Sequence, residues 1–325
     1  MGVLTAVLAL ALATPGQTAP VDPAGQVQVQ TEAQTQTQAP VRLEDIVVDH
    51  RRLEETVRDF VGEVGAPPPR RGLARWTGEL CVGAVNVRRD VGQAVVDRVS
   101  EVALDLGLEI GEPGCTPNVV IVFTADSTAL ADAMVEENRR AFRLGIGGLD
   151  RGNPALRDFR TVDRPVRWWH VSVPVNSDNG TIAVRLPGDV DNRGNPSAPT
   201  IAVFAASRLN SQIRDDLNKV MIVVDVDGLQ GINLAQLADY LAFVSLAQVD
   251  PDGDTAGWDT VLNLFDAPTA VDGLTEWDRT YLTSLYRVQG GPVRRINPQS
   301  QASVMANDMA RRWRAQQTEA EAEGD

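Results

Sequence analysis

The sequence predicts an α/β protein with a mixed sheet. Residues 80–87 and 118–124 are apolar and β-branched and flank an amphipathic segment, which is typical of a parallel strand, helix, strand unit. Residues 168–175 alternate in polarity and precede the hairpin signal Asp-Asn-Gly at 178–180. Residues 220–226 are continuously apolar and predict a strand in the sheet interior. Parallel and antiparallel pairs are therefore expected in one sheet.

Capping signals and apolar periodicity place the remaining elements. Capping residues predict the starts of four helices: Asp90 with Gln93, Asp126, Asn233 with Gln236, and Thr275 with Asp278. The expected helices cover residues 43–64, 90–106, 126–142, 233–248, 275–286 and 298–313. The helix at 233–248 is apolar around most of its circumference, so it is predicted to be buried. Residues 187–199 predict a surface loop, and residues 200–207 a further strand.

The N-terminal residues predict an exported protein, and the composition of the rest of the chain predicts its division into segments. Residues 1–19 contain an apolar run that is too short to span a bilayer, followed by Pro15 and Gly16, which is typical of a signal peptide. No basic residue precedes this run, so the translation start is left open. Residues 20–41 predict a disordered Gln- and Thr-rich linker, residues 42–314 a single domain, and residues 315–325 a disordered acidic tail. We expect a periplasmic or extracellular protein without a stable membrane span after removal of the signal peptide.

Charge and cysteine content narrow the class of protein. The formal net charge is -14, which disfavours binding to nucleic acid or to anionic lipid. Cys81 and Cys115 are the only cysteines, and each lies at the start of a predicted parallel strand. Because the starts of neighbouring parallel strands are adjacent, an exported chain is expected to join them in a disulfide.

The segment from 220 to 286 carries a family resemblance. Leu274-Thr275-Glu276-Trp277-Asp278 leads to Leu285-Tyr286, which is similar to the helix of matrixin-type proteases that ends in Leu-Tyr. Residues 261–266 lie where that class has the turn beneath its metal. The chain resembles the zincin-like domains of the metzincin class, and a group of exported proteobacterial proteins with a degenerate zincin-like frame. The resemblance implies a mixed sheet above the buried helix at 233–248, with C-terminal helices following it.

The metal ligands of that class are absent. Its H-E-x-x-H motif places two imidazoles on one helical face to bind zinc. The corresponding helix here has no pair of ligands four residues apart, and His50 and His170 are the only histidines in the chain. Zinc is therefore not expected. Asp239 in this helix is read either as a polar remnant of the site or as an ordinary helix residue.

Trp168, His170 and Tyr240 are the candidate binding residues. Trp168 and His170 share one face of a strand, and could stack on a ligand or clamp an extended peptide, whereas packing in the core is the alternative. Tyr240 lies on the buried helix. The expected partner is an extended peptide or another envelope component.

A second candidate site is the acidic segment at 250–254. Asp250, Asp252 and Asp254 alternate as carboxylates do at the start of a calcium loop. The sixth and twelfth positions are Thr255 and Val261, so the segment is not an EF-hand. A polar loop at the end of a helix is the alternative.

Three functions are therefore open. The first is a non-catalytic binding or scaffold protein of the cell envelope, and the absence of H-E-x-x-H and of a catalytic triad motif favours it. The second is a metal-independent hydrolase of cell-wall glycan or peptide that uses His170 with Asp225, Asp227 or Asp239. The third is a structural protein stabilised by calcium.

Overall fold

The computed structural model describes residues 43–68, 71–139, 141–142, 151–184, 193, 213–290 and 298–323. Residues from Leu43 onward belong to one unit. The predicted signal peptide, the linker, the strand at 200–207 and all of the loop at 187–199 except Arg193 lie outside the described residues. No helix in the described ranges is long and apolar enough to cross a membrane.

The sheet is mixed and has four strands in the described part of the chain. They are β1 (Val82–Val85), β2 (Val119–Thr124), β3 (Val166–Asn176) and β4 (Ile213–Asp225), arranged in the order β1-β2-β4-β3. β1 with β2 and β2 with β4 are parallel, whereas β3 pairs antiparallel with β4. The predicted α/β class with a mixed sheet is confirmed, and β3 occupies one edge.

Strand β4 begins earlier than the expected start at residue 220. Residues 214–216 of this early part are polar, so no apolar run marks it. Asp215 and Asp216 are buried and satisfied by hydrogen bonds: Asp215 accepts from the Gly72 N–H at 2.8 Å, and Asp216 accepts from the Thr77 hydroxyl at 2.5 Å. Partners distant in sequence therefore allow β4 to extend along the full length of β3.

Helices cover both faces of the sheet. They are α1 (Leu43–Val64), α2 (Arg89–Asp105), α3 (Ser127–Glu137), α4 (Gly152–Thr161), α5 (Leu234–Leu246), α6 (Glu276–Gly290) and α7 (Pro298–Glu323). The larger core lies where α1, α2, α5, α6 and α7 meet one face, to which Trp168 and Ile222 contribute. The smaller core lies where α3 and α4 meet the other face, to which Trp169 and Val223 contribute.

Three helix caps follow the prediction and one does not. Before α6, the Thr275 hydroxyl accepts from the Asp278 N–H at 3.1 Å and Asp278 accepts from the Thr275 N–H at 3.0 Å, which is a reciprocal capping box. Asn233 and Gln236 form a reciprocal capping box at the start of α5, and Asp126 accepts from the Ala129 N–H at the start of α3. Asp90 does not cap α2, because the helix begins after Arg88 and Asp90 lies inside its first turn. Helix α5 ends at Leu246, two residues short of the predicted end.

Three other elements differ from expectation. Helix α3 ends at Glu137 instead of Phe142. Helix α4 was not predicted, because Gly152 and Pro154 weaken its pattern; contacts of Leu156 and Phe159 in the smaller core stabilise it. Helix α7 continues to Glu323, so it includes most of the segment predicted as a disordered tail. After β3, Val175 bridges to Ile182, and the strand expected at 182–186 after the hairpin turn is described only to residue 184.

The disulfide between Cys81 and Cys115 is present, as predicted, with the two Cα atoms 6.1 Å apart. Cys81 immediately precedes β1, and Cys115 lies in the loop that leads to β2. The bond therefore ties the starts of two parallel strands together. Chain-entropy models give such a cross-link a stabilisation of about 3 to 4 kcal/mol.

A buried carboxylate holds the turn that follows α5. Asp278 is fully buried, and its oxygens accept from the Thr260 hydroxyl at 2.5 Å, the Val261 N–H at 2.7 Å, and the Thr275 N–H and hydroxyl at 3.0 Å each. The short 3-10 helix Val261–Asn263 is thereby attached to the start of α6. Burial raises the pKa of Asp278 to about 6, although the hydrogen bonds from Thr260, Val261 and Thr275 lower it.

We predict that Asp278→Asn removes a pH dependence of stability, because the amide does not titrate. The folded pKa of Asp278 is raised above the ordinary value of 3.8, so the stability contributed by its protonated form is lost as pH rises through 6. The free-energy gap between wild type and variant should therefore shift by about 2 kcal/mol in favour of wild type from pH 7.5 to 4.5. Urea denaturation at both pH values measures it, and a gap that does not change with pH would contradict the assignment.

Candidate functional site

A cavity of about 380 Å³ lies beside the first residues of β3. Its walls are the start of β3, the middle of α5, the loop at 250–256 and the turn at 262–266. We call it the edge cavity. Its volume lies within the range of about 300 to 1,000 Å³ that is usual for small-ligand sites, so it can hold one or two side chains of a partner.

Three aromatic side chains line one wall of the edge cavity. The rings of Trp168 and Tyr240 are 6.1 Å apart and those of Tyr240 and Phe265 are 5.0 Å apart, both edge to face. The Trp168 indole N–H donates to the Val249 carbonyl at 3.0 Å, which fixes the orientation of its ring. We call these three side chains the aromatic wall. Each comes from a different element: Trp168 from β3, Tyr240 from α5 and Phe265 from the turn.

Tyr240 brings a polar group to this wall. Its side chain is only 6 % exposed, yet its hydroxyl makes no hydrogen bond to any residue that the structure describes. Burial raises the pKa of Tyr240. The charge of Arg164 lowers this pKa and that of Asp266 raises it, and both residues line the edge cavity. The hydroxyl is therefore protonated at neutral pH and is available both to donate to a ligand and to accept from one.

His170 is neutral and held by α5. Its Nε2 lies 2.8 Å from the Val244 carbonyl oxygen, which can only accept, so Nε2 carries the proton. Burial lowers the pKa of His170 to about 4; the hydrogen bond to Val244 opposes this shift, and the charge of Arg151 adds to it. His170 lines a small cavity of about 20 Å³ next to the edge cavity, which is room for about one water molecule.

Two arginine–aspartate pairs bridge the loop at 250–256 to the opposite side of the site. Arg151, just before α4, contacts Asp250 at 2.7 Å, and Arg164, just before β3, pairs with Asp252. Asp254 instead accepts from the Ala256 N–H at 3.2 Å. The three calcium candidates thus bind separate partners, and the described residues contain no group of three side chains that could hold a metal ion.

The other catalytic candidates lie apart from both cavities. Asp239 pairs with Arg98 of α2 and accepts from the Leu274 N–H at 2.8 Å, so it links α2, α5 and the start of α6. It lines a separate cavity of about 480 Å³ between α2 and α5. Asp225, at the C-terminal end of β4 beside the start of β3, accepts from the Asp227 N–H at 3.1 Å and the Ser127 N–H at 3.3 Å, and its side chain lines neither cavity. These contacts fit structural roles at helix starts and between helices.

The structure therefore brings together Trp168, His170, Tyr240, Asp250 and Asp254 of the candidates, whereas Asp225 and Asp239 line neither cavity. Sequence reasoning missed Arg151, Arg164 and Phe265. No motif marks the two arginines, because their partners are 99 and 88 residues away. Phe265 could have been suspected, because it lies in the turn that the resemblance places beneath a metal site.

Comparisons of the chain with models of protein families, with curated proteins and with solved structures give no match. The function must therefore be inferred from the residues of the site.

We predict that His170→Gln removes a pH dependence of stability. The folded pKa is depressed to about 4, so the stability that neutral His170 provides is complete above 6.5 and is lost as pH falls towards 4. Wild type should lose about 2 to 3 kcal/mol relative to the variant between pH 7.5 and 4.5. Glutamine keeps a donor for the Val244 carbonyl, whereas His170→Ala does not and should be less stable at pH 7.5. Denaturant titrations at both pH values test this, and equal losses in wild type and His170→Gln would contradict it.

Proposed function

We propose that this chain is a non-catalytic binding protein with a zincin-like frame, whose edge cavity holds an extended peptide. The proposal rests on the aromatic wall, whose Tyr240 hydroxyl has no partner among the described residues, next to the edge of β3 that no described strand covers. Because residues 1–19 predict a signal peptide, the peptide would belong to an envelope or extracellular component.

The arrangement of elements supports the zincin-like frame. An antiparallel edge strand, β3, is followed in the chain by the interior strand β4 and then by the buried helix α5. The turn and α6, which contains Leu285-Tyr286, come next. This order matches the resemblance to the metzincin class, in which a cleft beside the buried helix is bordered by an edge strand.

The residues at the metal-ligand positions of the metzincin class do not suit zinc. The extended metzincin pattern H-E-x-x-H-x-x-G-x-x-H can be laid on the chain with its first position at Tyr240. The two later histidine positions then fall on Val244 and Asp250. In this register Tyr240 and Asp250 line the edge cavity, whereas the Val244 side chain is buried in the larger core. Tyrosine, valine and one ion-paired aspartate do not form a zinc site.

The edge of β3 can supply backbone hydrogen bonds. The Pro165 carbonyl accepts from the Asp225 N–H of β4 at 2.8 Å. Backbone groups alternate in direction along an antiparallel strand, so those of Val166 and Trp168 point away from β4. No described backbone group pairs with Val166 or Trp168 on that side, and both line the edge cavity. An extended segment could add to this edge and place a side chain in the cavity.

The two other functions have less support. A hydrolase would need carboxylates that converge with His170. Asp225 and Asp239 do not line the cavity of His170, and they accept from the Ser127 and Leu274 N–H groups. A calcium-stabilised protein would need the carboxylates of Asp250 and Asp252 to turn away from their arginines. Neither arrangement is favoured by the contacts in the described part of the chain.

We predict that Ala256→Trp abolishes peptide binding. Ala256 is exposed and lines the edge cavity, so a large side chain there fills the cavity without removing core contacts. The measurement is enrichment of clones from a random decapeptide library displayed on phage, followed by Kd values for the enriched peptides. Wild type should enrich peptides, and Ala256→Trp should weaken their binding at least about tenfold, which is 1.4 kcal/mol.

Ala129→Trp is the matched control, because Ala129 is exposed in the first turn of α3 on the opposite face of the sheet. It should bind as wild type does. Peptides that bind Ala256→Trp as tightly as wild type would refute the edge cavity as the site. Mass spectrometry of the bound peptides provides a second readout, and cleaved products would favour the hydrolase instead.

A further inference from the structure

We infer that the edge cavity selects a lysine or arginine side chain of the bound peptide. This inference rests on the proposed function and adds the chemical class of the residue that enters the cavity. It follows from three features: the charges on the cavity rim, the pairing of the cations nearby, and the shape of the aromatic wall.

The rim of the edge cavity has three exposed carboxylates. They belong to Asp163 just before β3, Asp254 in the loop after α5, and Asp266 at the end of the turn. None of the three is in an ion pair with a residue that the structure describes, and Asp254 accepts from the Ala256 N–H at 3.2 Å. Three negative charges therefore surround one opening, and no cation among the described residues contacts them directly.

Two of the three cations near the cavity are in ion pairs. Arg164 lines the cavity and pairs with Asp252, and Arg151 pairs with Asp250 at the adjacent small cavity. The third, Arg167, is buried at the small cavity, donates to the Phe159 carbonyl at 2.9 Å, and is acted on by the charge of Asp163. The three rim carboxylates outnumber this one cation, so the potential at the opening is negative. An incoming cation is favoured there, and an incoming carboxylate is repelled.

The aromatic wall complements the rest of a basic side chain. Lysine and arginine carry an apolar stem that packs against rings while the charged head stays near polar groups. Tyr240 and Trp168 also offer ring faces and edges within the cavity, where a cation within about 6 Å of a ring centre is stabilised by about 0.5 to 2 kcal/mol. The Tyr240 hydroxyl, nine-tenths buried and without a described partner, can accept a hydrogen bond from the head group.

The charge of the whole chain acts in the same direction. With a formal net charge of -14, the protein attracts basic segments over distances of about a Debye length, roughly 8 to 10 Å at physiological salt. The long-range field brings the segment to the protein, and the rim with the aromatic wall positions one basic side chain. A short basic and apolar stretch of an exported protein has this chemistry.

The test uses the full chain and four synthetic peptide pools. Each pool is a fluorescein-labelled degenerate octapeptide with one fixed central residue, which is Lys, Arg, Leu or Glu. Fluorescence polarisation gives the Kd of each pool at 20, 150 and 500 mM NaCl. We expect the Lys and Arg pools to bind about tenfold more tightly than the Glu pool at 20 mM NaCl, with a smaller difference at 500 mM.

The variant for this test combines three substitutions in one chain: Asp163→Asn, Asp254→Asn and Asp266→Asn. The three replaced side chains are exposed and the amide at 254 can still accept from the Ala256 N–H, so the fold is not expected to change. The variant should lose the preference for Lys and Arg and keep its affinity for the Leu pool. The matched control combines Asp105→Asn, Glu109→Gln and Glu112→Gln. It changes the net charge by the same amount, but near β1 at the other edge of the sheet. It should keep the preference.

Each outcome supports or refutes a stated part of the inference. Binding that is blocked by Ala256→Trp but shows no preference among the pools refutes the basic residue and leaves the proposed function standing. No binding of any pool refutes both. If 1,5-diaminopentane displaces the Lys pool at the same concentration as an unlabelled Lys pool, the peptide backbone contributes nothing, and the extended segment is the wrong class of ligand.

Discussion

The pairing of β4 on both of its edges is the constraint on which the rest of the structure depends. Its parallel partner β2 places it in the sheet interior, and its antiparallel partner β3 forms the edge. The register that sets Trp168 opposite Ile222 directs Trp168 to the face covered by α5 and Trp169 to the face covered by α3 and α4. A shift by one residue would exchange the two indoles and remove the aromatic wall.

Buried polar contacts then position the parts of the site that do not belong to the sheet. The capping box of Asn233 and Gln236 sets the start of α5, and the Gln236 amide also donates to the Val271 carbonyl at 2.6 Å. Asp278 holds the turn that presents Phe265. The ring contacts of Tyr240 with Phe265 thus depend on two sets of hydrogen bonds. One set, at Asn233 and Gln236, positions α5, and the other, at Asp278, positions the turn.

The edge cavity and its surroundings combine ring surface, one hydroxyl and paired charges. Trp168 and Tyr240 supply the rings and the hydroxyl, while Arg151 and Arg164 pair with Asp250 and Asp252. A site of this composition offers shape and charge to a ligand. We propose that binding of an extended basic segment is the function that such a site can perform.

Much of this fold could be predicted from local sequence, because caps, turns and apolar periodicity act over a few residues. Examples are the capping box of α5, the Asp126 cap, the strand core at 220–225 and the disulfide. Helix α4 and the polar start of β4 could not be predicted, because contacts distant in sequence stabilise them. The sequence by itself determined which residues are available and excluded a zinc site that needs several histidines. Only the tertiary structure decided that Trp168, Tyr240 and Phe265 share one wall and that Arg151 meets Asp250, since packing between distant segments sets those contacts.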